Sequence, residues 1–277
     1  MVMSSTVLGT FHFHSTYSHD GRSTLAEVVA GLQGRGFGFC IMTEHFEDFT
    51  PSKFQSYLEE TQALTRTSGF VLVPGLEVNL EGIDTILFPV TEFGMVERFA
   101  KQHGSENIFS VLAHPSKYPA EKVAQHLDRY CLSGVELWNQ QADSDYRPPL
   151  DFLGAFRGMC RWNQMRCFFG CDLHDVNLRP SNLLALDSSA GATAEGILAE
   201  LSAGRFTSRN LRTGIELDNR LGPRGVEEWT EQILRRGSEW GGVRWRVRQV
   251  LRSGYRLLPR STRRGLNDFK NLVRNRI

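Results

Sequence analysis

Residues 11–21 of the chain read FHFHSTYSHDG and directly follow a short apolar segment. This run sets His12 and His14 two residues apart and follows them closely with Asp20. Alternate residues of a β-strand share one face, so both imidazoles can reach a single cation. Neutral imidazole is a donor that suits zinc, iron and related ions. By itself the pattern fits a strand with two core or exposed histidines about equally well, and the rest of the chain decides between the two.

The composition is that of a globular protein. The 277 residues are 40% hydrophobic and 10% aromatic, which is enough for one large core. No apolar run approaches the roughly 18 residues of a membrane span, and no charged leader precedes the first apolar segment. Five cysteines form no C-x-x-C pair, which favours reduced thiols and a cytoplasmic protein.

Charge is distributed unevenly along the chain. The net charge is only +1, which makes nucleic acid an unlikely partner for the molecule as a whole. Residues 219–277 nevertheless hold fifteen lysines or arginines against five acids, a balance of +10, so residues 1–218 carry about −9. This split indicates that the C-terminal segment either packs on an acidic surface or has a partner of its own.

Short apolar segments alternate with stretches of helical periodicity over the first three quarters of the chain. Helices are predicted over residues 25–32, with Ser23 as the N-cap, and over residues 53–66. Alternation of this kind predicts a mostly parallel sheet with helices outside it. Seven segments predict strands, at residues 7–14, 37–43, 70–74, 85–90, 108–113, 134–138 and 167–171.

Polar side chains capable of binding a metal follow almost every predicted strand. The carboxyl ends of the strands of a parallel barrel point to one face, so these side chains are expected to converge there. Such a set is difficult to attribute to chance. The candidate ligands are His12, His14, Asp20, His45, Glu77, His114, Asp172 and His174.

The order of these motifs resembles that of the PHP (polymerase and histidinol phosphatase) superfamily, and the resemblance covers roughly residues 7–215. It implies an α/β fold, a distorted, TIM-like, seven-stranded β/α barrel, for a domain over residues 1–215. It also implies two or three divalent metal ions, and the mixed donors suit zinc, manganese or iron. The motifs are His12-x-His14, Ser18-His19-Asp20-Gly21, Thr43-Glu44-His45, Gly75-Leu76-Glu77, Ala113-His114-Pro115 and Asp172-Leu173-His174.

The same resemblance implies how the ligands divide among the ions. One ion would take His12, His14, Glu77 and Asp172, a second Glu77 and His114, and a third Asp20, His45 and His174. The chain departs from the family pattern in two ways. Glu44 stands where many relatives have Asp, and no histidine follows a strand between His114 and Asp172. Glu136 is expected to fill that second place as a metal ligand, with a water as the alternative.

Several cations in one pocket lower the pKa of a bound water and neutralise phosphate oxygens. The predicted activity is therefore hydrolysis of a phosphomonoester or a small phosphodiester by a metal-activated hydroxide. Three residues, His19, Asp172 and His174, are the candidates for moving protons. Three cationic side chains, Arg22, Lys117 and Arg179, are predicted to bind the substrate phosphate, although Arg22 and Arg179 fit a solvated surface equally well.

Residues 216–277 are predicted to form an Arg-rich, largely helical C-terminal extension. It could pack on the acidic barrel, bind an anionic membrane surface at the inner face of the membrane, or dock to a protein or another polyanion. The alternative to an enzyme is a non-catalytic PHP-like module that docks through this extension. The complete set of ligands favours the enzyme, and an editing exonuclease is the least favoured reading because the barrel is acidic.

Overall fold

The computed structural model of the protein describes residues 6–104, 108–156, 159, 165–187 and 193–239. The chain divides into two compact units, Met1–Glu231 and Gln232–Ile277. Of the second unit only residues 232–239 are described, so the fold given below is that of the first. The predicted domain boundary at residues 215/216 stays a prediction.

The described residues form two six-stranded sheets with helices between the strands. The first sheet has the order β12-β11-β10-β1-β2-β4 and the second β3-β5-β6-β7-β8-β9. The strands are β1 (Thr6–Phe13), β2 (Phe39–Met42), β3 (Glu44–His45), β4 (Val71–Val73), β5 (Leu76–Leu80), β6 (Ile83–Phe88), β7 (Phe109–Leu112), β8 (Gly134–Asn139), β9 (Arg166–Gly170), β10 (Asn182–Asp187), β11 (Phe206–Asn210) and β12 (Glu216–Asp218). The helices are α1 (Leu25–Gln33), α2 (Pro51–Ser68), α3 (Met95–Gln102), α4 (Ala120–Arg129), α5 (Leu150–Phe156), α6 (Ala194–Ala203) and α7 (Gly222–Glu239).

The predicted α/β class is confirmed, but the seven-stranded barrel is wrong in its strand count. The described residues form twelve strands in two sheets, and no barrel is closed among them. Two interruptions explain the division into sheets. Thr43 separates β2 from β3, and Pro74-Gly75 separates β4 from β5, where Pro74 has no N–H to donate to a ladder.

The expectation of a mostly parallel sheet is also wrong, because strand pairing is mixed. β1–β2, β2–β4, β3–β5, β7–β8 and β8–β9 are parallel, whereas β1–β10, β10–β11, β11–β12, β5–β6 and β6–β7 are antiparallel. β5 and β6 are joined by Glu81 and Gly82, which both have positive φ values, 55° and 81°. A two-residue turn of this kind makes a hairpin and leaves no room for a crossover helix.

Backbone hydrogen bonds bring the segment after β9 alongside the end of β1. The Asp172 N–H donates to the carbonyl of His12 at 2.7 Å, and the His14 N–H donates to the carbonyl of Leu173 at 2.8 Å. The last strand of the second sheet is thus held against the central strand of the first. Residues about 160 positions apart in sequence meet at this junction.

A β-bulge at His12 divides the side chains of β1 between two apolar clusters. The register with β2 shifts between Phe11 and Phe13, and His12 has a φ of 69°. Phe11 packs in the cluster that contains Phe168, whereas Phe13 packs in the one that contains Tyr57. Bulges re-aim side chains and are common beside functional sites. The simple two-residue alternation expected for this strand therefore ends at His12.

The start of α1 corrects one predicted cap. Thr24, not Ser23, is the N-cap, and it forms a capping box in which its side chain accepts from the Glu27 N–H while Glu27 accepts from the Thr24 N–H. The Ser23 hydroxyl instead accepts a hydrogen bond from the Val176 N–H at 3.0 Å. The predicted helix at 53–66 is confirmed as part of α2.

The expectations for the far C-terminal segment lie outside the described residues from position 240 onward. Among the helices that the structure does describe, none combines the length and apolar character that crossing a bilayer demands.

One buried histidine of α4 predicts a pH dependence of stability. His126 is 5% exposed and shares a hydrogen bond of 3.0 Å with the Thr85 hydroxyl. Burial, with the charges of Lys122 and Arg129, lowers its pKa from 6.5 to about 4. The unfolded chain therefore binds a proton that the folded chain excludes, and stability is lost as pH falls from 6.5 towards 4.

We expect this residue to cost about 2 kcal/mol of unfolding free energy between pH 7.5 and pH 5. Urea unfolding of wild type and His126→Gln over this range measures the effect. The unfolding free energy of wild type should fall by about 2 kcal/mol more than that of the variant as pH falls. Parallel curves would show that His126 is protonated equally in both states.

Candidate metal centre

Glu77 on β5 lies at the centre of a buried cluster of imidazoles. Its Oε2 atom is 3.5 Å from His12 Nε2, 3.4 Å from His14 Nε2 and 3.3 Å from His45 Nδ1, while its Oε1 atom is 2.7 Å from His114 Nε2. The parallel register of β3 and β5 pairs His45 directly with Glu77. One carboxylate thus contacts four histidines from three separate segments, the end of β1, β3 and the residues after β7.

Asp20 and His174 form the outer side of this cluster. The Asp20 carboxylate lies between two imidazoles, with Oδ1 3.4 Å from His45 Nε2 and Oδ2 3.1 Å from His174 Nε2. The His174 ring stacks on His14 with 4.3 Å between centroids and 9° between planes. This part of the cluster is more open, since the Asp20 side chain is 44% exposed.

Three of the predicted ligands have a backbone conformation that is unusual for residues other than glycine. His12, His114 and Asp172 have φ values of 69°, 29° and 55°. Such conformations are sparsely populated and cost free energy, and they accumulate at functional sites. At Asp172 the conformation brings Oδ1 to 3.5 Å from the Nε2 atoms of both His12 and His14.

Buried nitrogen atoms without partners show that the cluster fits divalent cations. His12 Nε2, His14 Nε2 and His114 Nδ1 are buried and have no hydrogen-bond partner among the described residues. Leaving such atoms unpaired is costly, and a bound cation would satisfy those that face the cluster. Four groups of three residues offer donor atoms within 4.8 Å of one another: His14, His45 and His174; His12, His114 and Asp172; His12, His14 and Glu77; and Glu77, Asp84 and His114.

The charges of the cluster stabilise one another. Burial opposes ionisation of Glu77 and Asp172, but the charge of His12 and the close contacts with other imidazoles outweigh it and hold both pKa values well below their usual range. For His45, burial opposes protonation, but the contacts with Asp20 and Glu77 outweigh it and raise its pKa to about 10. A cation bound by His45 must therefore displace a proton, which makes metal binding stronger as pH rises.

Glu136, predicted as a ligand, lies behind the cluster. Its Oε1 atom accepts a hydrogen bond from His12 Nδ1 at 3.1 Å, and Oε2 accepts from the His114 N–H at 2.7 Å and from Asn139 Nδ2 at 3.0 Å. A Cβ at Gly170 would approach Oε1 to 1.5 Å, so this position requires glycine. These contacts favour an orienting role for Glu136, which turns the Nε2 atom of His12 towards Glu77.

Glu44 orients His14 through a serine. The Ser18 hydroxyl donates to Glu44 Oε2 at 2.6 Å, which leaves its oxygen to accept from His14 Nδ1 at 3.4 Å and from the His45 N–H at 2.9 Å. Glu44 also accepts from the Ser15 N–H and hydroxyl, at 3.0 and 2.6 Å. The buried carboxylate thus fixes the loop after β1 and directs His14 Nε2 into the cluster.

The predicted proton carrier His19 lies at the rim of the cluster. Its Nδ1 atom and its backbone N–H both contact Asp48 Oδ2 at 2.8 Å, and its side chain is 63% exposed. The His19 ring is 5.4 Å from that of His45, measured between centroids. The hydrogen bond and charge of Asp48 raise the pKa of His19 above its ordinary value. This arrangement leaves Nε2 directed away from Asp48 and free to exchange a proton.

The three predicted phosphate-binding residues differ in their placement. Lys117 Nζ lies 3.7 Å from Asp172 Oδ2, and its side chain is about half exposed. Arg22 and Arg179 are exposed, and their described contacts are through the backbone, the Arg22 N–H to His174 O at 2.7 Å and Arg179 O from Gln140 Nε2 at 3.0 Å. Among the contacts of the described residues, only Lys117 of the three has its side-chain charge beside a carboxylate of the cluster.

Sequence reasoning missed Asp84, which lies at the open side of the cluster. Asp84 lines a pocket of about 100 Å³ together with His45, Glu47, Glu77 and Asn79. The sequence does carry a signal for Asp84, because the two-residue turn Glu81-Gly82 fixes the register of the hairpin. This turn sets Asn79 opposite Asp84 and Glu77 opposite Ile86, so Asp84 is a diagonal neighbour of Glu77 on the same face of the hairpin.

Metal binding at this cluster should stabilise the protein. We expect chelator-treated wild type to melt at a lower temperature than protein reloaded with Mn²⁺ or Zn²⁺, with a gain of about 2.7 kcal/mol at a hundred times the dissociation constant. Glu77→Gln should lose most of this gain, because the shared carboxylate is gone. Thermal melts with and without metal test the prediction, with exposed Glu97→Gln as the control. An equal metal-induced shift in both variants would contradict it.

Comparison with known proteins gives one sequence relative and several structural ones. No protein-family model matches the chain. The chain is 27% identical over 78 residues to "Probable histidinol-phosphatase" of Thermotoga maritima, a match that spans 28% of this chain and 33% of the relative. Structural neighbours include a Bifidobacterium adolescentis protein assigned as a metal-dependent phosphoesterase and an Endonuclease Q in complex with DNA.

The first neighbour is 15% identical, with a TM-score of 0.42 over 60% of this chain and 87% of its own. The second is 14% identical, with a TM-score of 0.45 over 72% of this chain and 57% of its own. Since both TM-scores lie below 0.5, the strand pairing given above defines the fold. The similarity to the Thermotoga maritima protein confirms the resemblance to the PHP superfamily that the motifs predict.

Proposed function

We propose that the protein is a metal-dependent phosphoesterase that hydrolyses a phosphomonoester or a small phosphodiester. The observation that carries the proposal is the contact of one buried carboxylate, Glu77, with four histidines. Two of these keep a buried Nε2 atom that has no hydrogen-bond partner within the part of the chain that the structure describes. The named activity of the sequence relative, a histidinol-phosphatase, agrees with this reading. The match spans about a third of that relative, so the substrate is not carried over from it.

The proposed ligand roles are those that the resemblance to the PHP superfamily implies, and the contacts around Glu77 support them. His12, His14, Glu77 and Asp172 would hold one ion, and Asp20, His45 and His174 would hold another. Glu77 would bridge to a further ion that also takes His114. Divalent ions held there acidify bound water and neutralise charge on the phosphate oxygens. Zinc, manganese and iron are the candidates, since the donors mix imidazole with carboxylate.

A proton must reach the leaving alcohol, and His19 is the best placed residue to supply it. Its Nδ1 atom is held by Asp48 at 2.8 Å, so the ring is oriented while Nε2 stays available at the rim. Asp172 and His174, the other two candidates, are engaged by the cluster, where Asp172 contacts His12 and His14 and His174 contacts Asp20. We therefore assign the proton donor role to His19 and ligand roles to the other two.

Lys117 is the proposed phosphate anchor. Its ammonium group is 3.7 Å from Asp172 Oδ2, and its partial exposure leaves donors free for a substrate oxygen. Arg22 and Arg179 remain candidates for a larger substrate that extends over the rim. The pocket beside the cluster, which Glu77 and Asp84 help to line, offers a place for the phosphate of the substrate.

The roles proposed for the basic extension are independent of this chemistry. Docking of residues 219–277 to a membrane surface or a protein, a cytoplasmic location and the absence of a nucleic-acid partner all stay predictions. The non-catalytic alternative would be favoured if the metal-loaded protein bound ligands but released no phosphate.

Hydrolysis should depend on the metal cluster. We expect metal-loaded wild type to release phosphate from p-nitrophenyl phosphate or from a member of a panel of phosphorylated metabolites. Asp172→Asn should lower kcat/KM at least about a hundredfold, because charge stabilisation at the reacting phosphate is weakened. Phosphate release by purified, reloaded protein is the measurement.

Asp175→Asn is the matched control, since Asp175 lies three residues further on and accepts hydrogen bonds from Asn177 outside the cluster. Its activity should equal that of wild type. Hydrolysis that persists in Asp172→Asn, or that is unaffected by chelation in wild type, would contradict the proposed function.

Lys117 should affect substrate binding more than turnover. We expect Lys117→Met to raise the KM for a phosphomonoester about tenfold with a smaller change in kcat, as for a group that binds ground state and transition state alike. Steady-state kinetics of the variant are compared with those of Lys101→Met, which removes an exposed lysine of α3. A KM equal to that of wild type would rule out the anchoring role.

A further inference from the structure

The cation that Glu77 and His114 are proposed to share has only these two protein ligands among the residues that the sequence analysis named, apart from Glu136. Glu136, the residue that the sequence offered for this place, already accepts hydrogen bonds from His12 Nδ1, the His114 N–H and Asn139 Nδ2. With three donors on its two oxygens and an exposure of only 1%, this carboxylate is enclosed by protein. Catalytic metal sites usually take three protein ligands and leave one position for water or substrate.

Asp84 on β6 supplies a carboxylate at this position. Its Oδ2 atom is 3.8 Å from His114 Nε2, which in turn is 2.7 Å from Glu77 Oε1. Donor atoms of these three residues all lie within 4.8 Å of one another. His114 is 2% exposed and Glu77 5% exposed, so two of the three side chains are already desolvated.

The Asp84 carboxylate is held by neighbours rather than free to rotate. The Tyr118 hydroxyl donates to Oδ2 at 2.5 Å and also accepts from the Asp84 N–H at 3.1 Å. Asn79 Nδ2 donates to Oδ1 at 2.7 Å. Hydrogen bonds of this kind to a ligand carboxylate fix its direction and support metal affinity.

The place is accessible as well as desolvated. Asp84 is 29% exposed at its side chain and lines the pocket that also contains Glu77 and His45. His114 Nδ1 is buried with no hydrogen-bond partner among the described residues, so its ring is held by few other polar contacts. A cation bound at this side would keep an open position facing the pocket, which a substrate oxygen could fill.

We propose that Asp84 is a ligand of the cation shared by Glu77 and His114, with Tyr118 as the residue that positions it. The inference rests on the proposed function, because it concerns the same metal centre. Two carboxylates and one imidazole form a set that suits manganese well.

The test uses the full-length protein stripped of metal and titrated with Mn²⁺. Bound Mn²⁺ per chain is measured after desalting, and electron paramagnetic resonance reports whether two ions are exchange-coupled through a shared carboxylate. Asp84→Asn should lose one equivalent of Mn²⁺, or bind it at least about tenfold more weakly, and should lose the coupled spectrum. The remaining ions should bind as in wild type.

Asp218→Asn is the matched control, because the Asp218 side chain is 28% exposed and contacts Arg220 away from the cluster. It should keep the wild-type stoichiometry and the coupled spectrum. Tyr118→Phe retains the carboxylate and should weaken the same ion by a smaller factor, which keeps the inference testable if Asp84→Asn does not fold. Unchanged stoichiometry, affinity and coupling in Asp84→Asn would overturn the ligand role.

Phosphate release measured on the same samples separates this inference from the proposed function. If Asp84→Asn loses one coupled Mn²⁺ and wild type hydrolyses no phosphoester, the ligand role is supported and the proposed function is contradicted. A wild type that hydrolyses phosphoesters while Asp84→Asn retains every ion supports the function and overturns the ligand role.

Discussion

The contact of the Glu77 carboxylate with four imidazoles is the interaction on which the rest of the site depends. Glu77, His12, His14 and His114 are buried, so water cannot readily satisfy their polar atoms. The charges hold the pKa of Glu77 well below its usual range although burial opposes this. Such an arrangement is stable only if opposite charges or cations balance it, which is why the cluster is suited to metal ions rather than to apolar packing.

The surrounding fold keeps this cluster in place at a cost in backbone conformation. Positive φ values at His12, His114 and Asp172 are tolerated because hydrogen bonds fix each of these residues. The His114 N–H is held by Glu136, and the Asp172 N–H by the carbonyl of His12. The carboxylates of Glu44 and Glu136 lie behind the imidazoles and direct their nitrogens inward, so the proposed metal ligands are already positioned.

Sequence reasoning named most residues of the candidate cluster and predicted only part of the fold. Seven apolar segments were expected, and each corresponds to a described strand, because buried strands leave a clear hydrophobic signal. The prediction of a closed barrel was wrong, because strand breaks of one or two residues, at Thr43 and at Pro74-Gly75, do not alter the hydrophobic periodicity of the sequence. The antiparallel strands β10 to β12 were missed, although β11 alternates between buried and partly exposed residues.

The sequence by itself determined which chemistry the protein can support, because the ligand residues lie at strand ends and a few local motifs name them. Tertiary structure decided the surroundings of each carboxylate. The sequence alone does not distinguish the carboxylates of Glu136 and Asp84. In the structure Glu136 is enclosed by three protein donors, whereas Asp84 faces a pocket beside His114. Asp84 also accepts hydrogen bonds, from Tyr118 and Asn79, so exposure to the pocket is what distinguishes the two carboxylates. The packing of strands far apart in sequence sets that exposure.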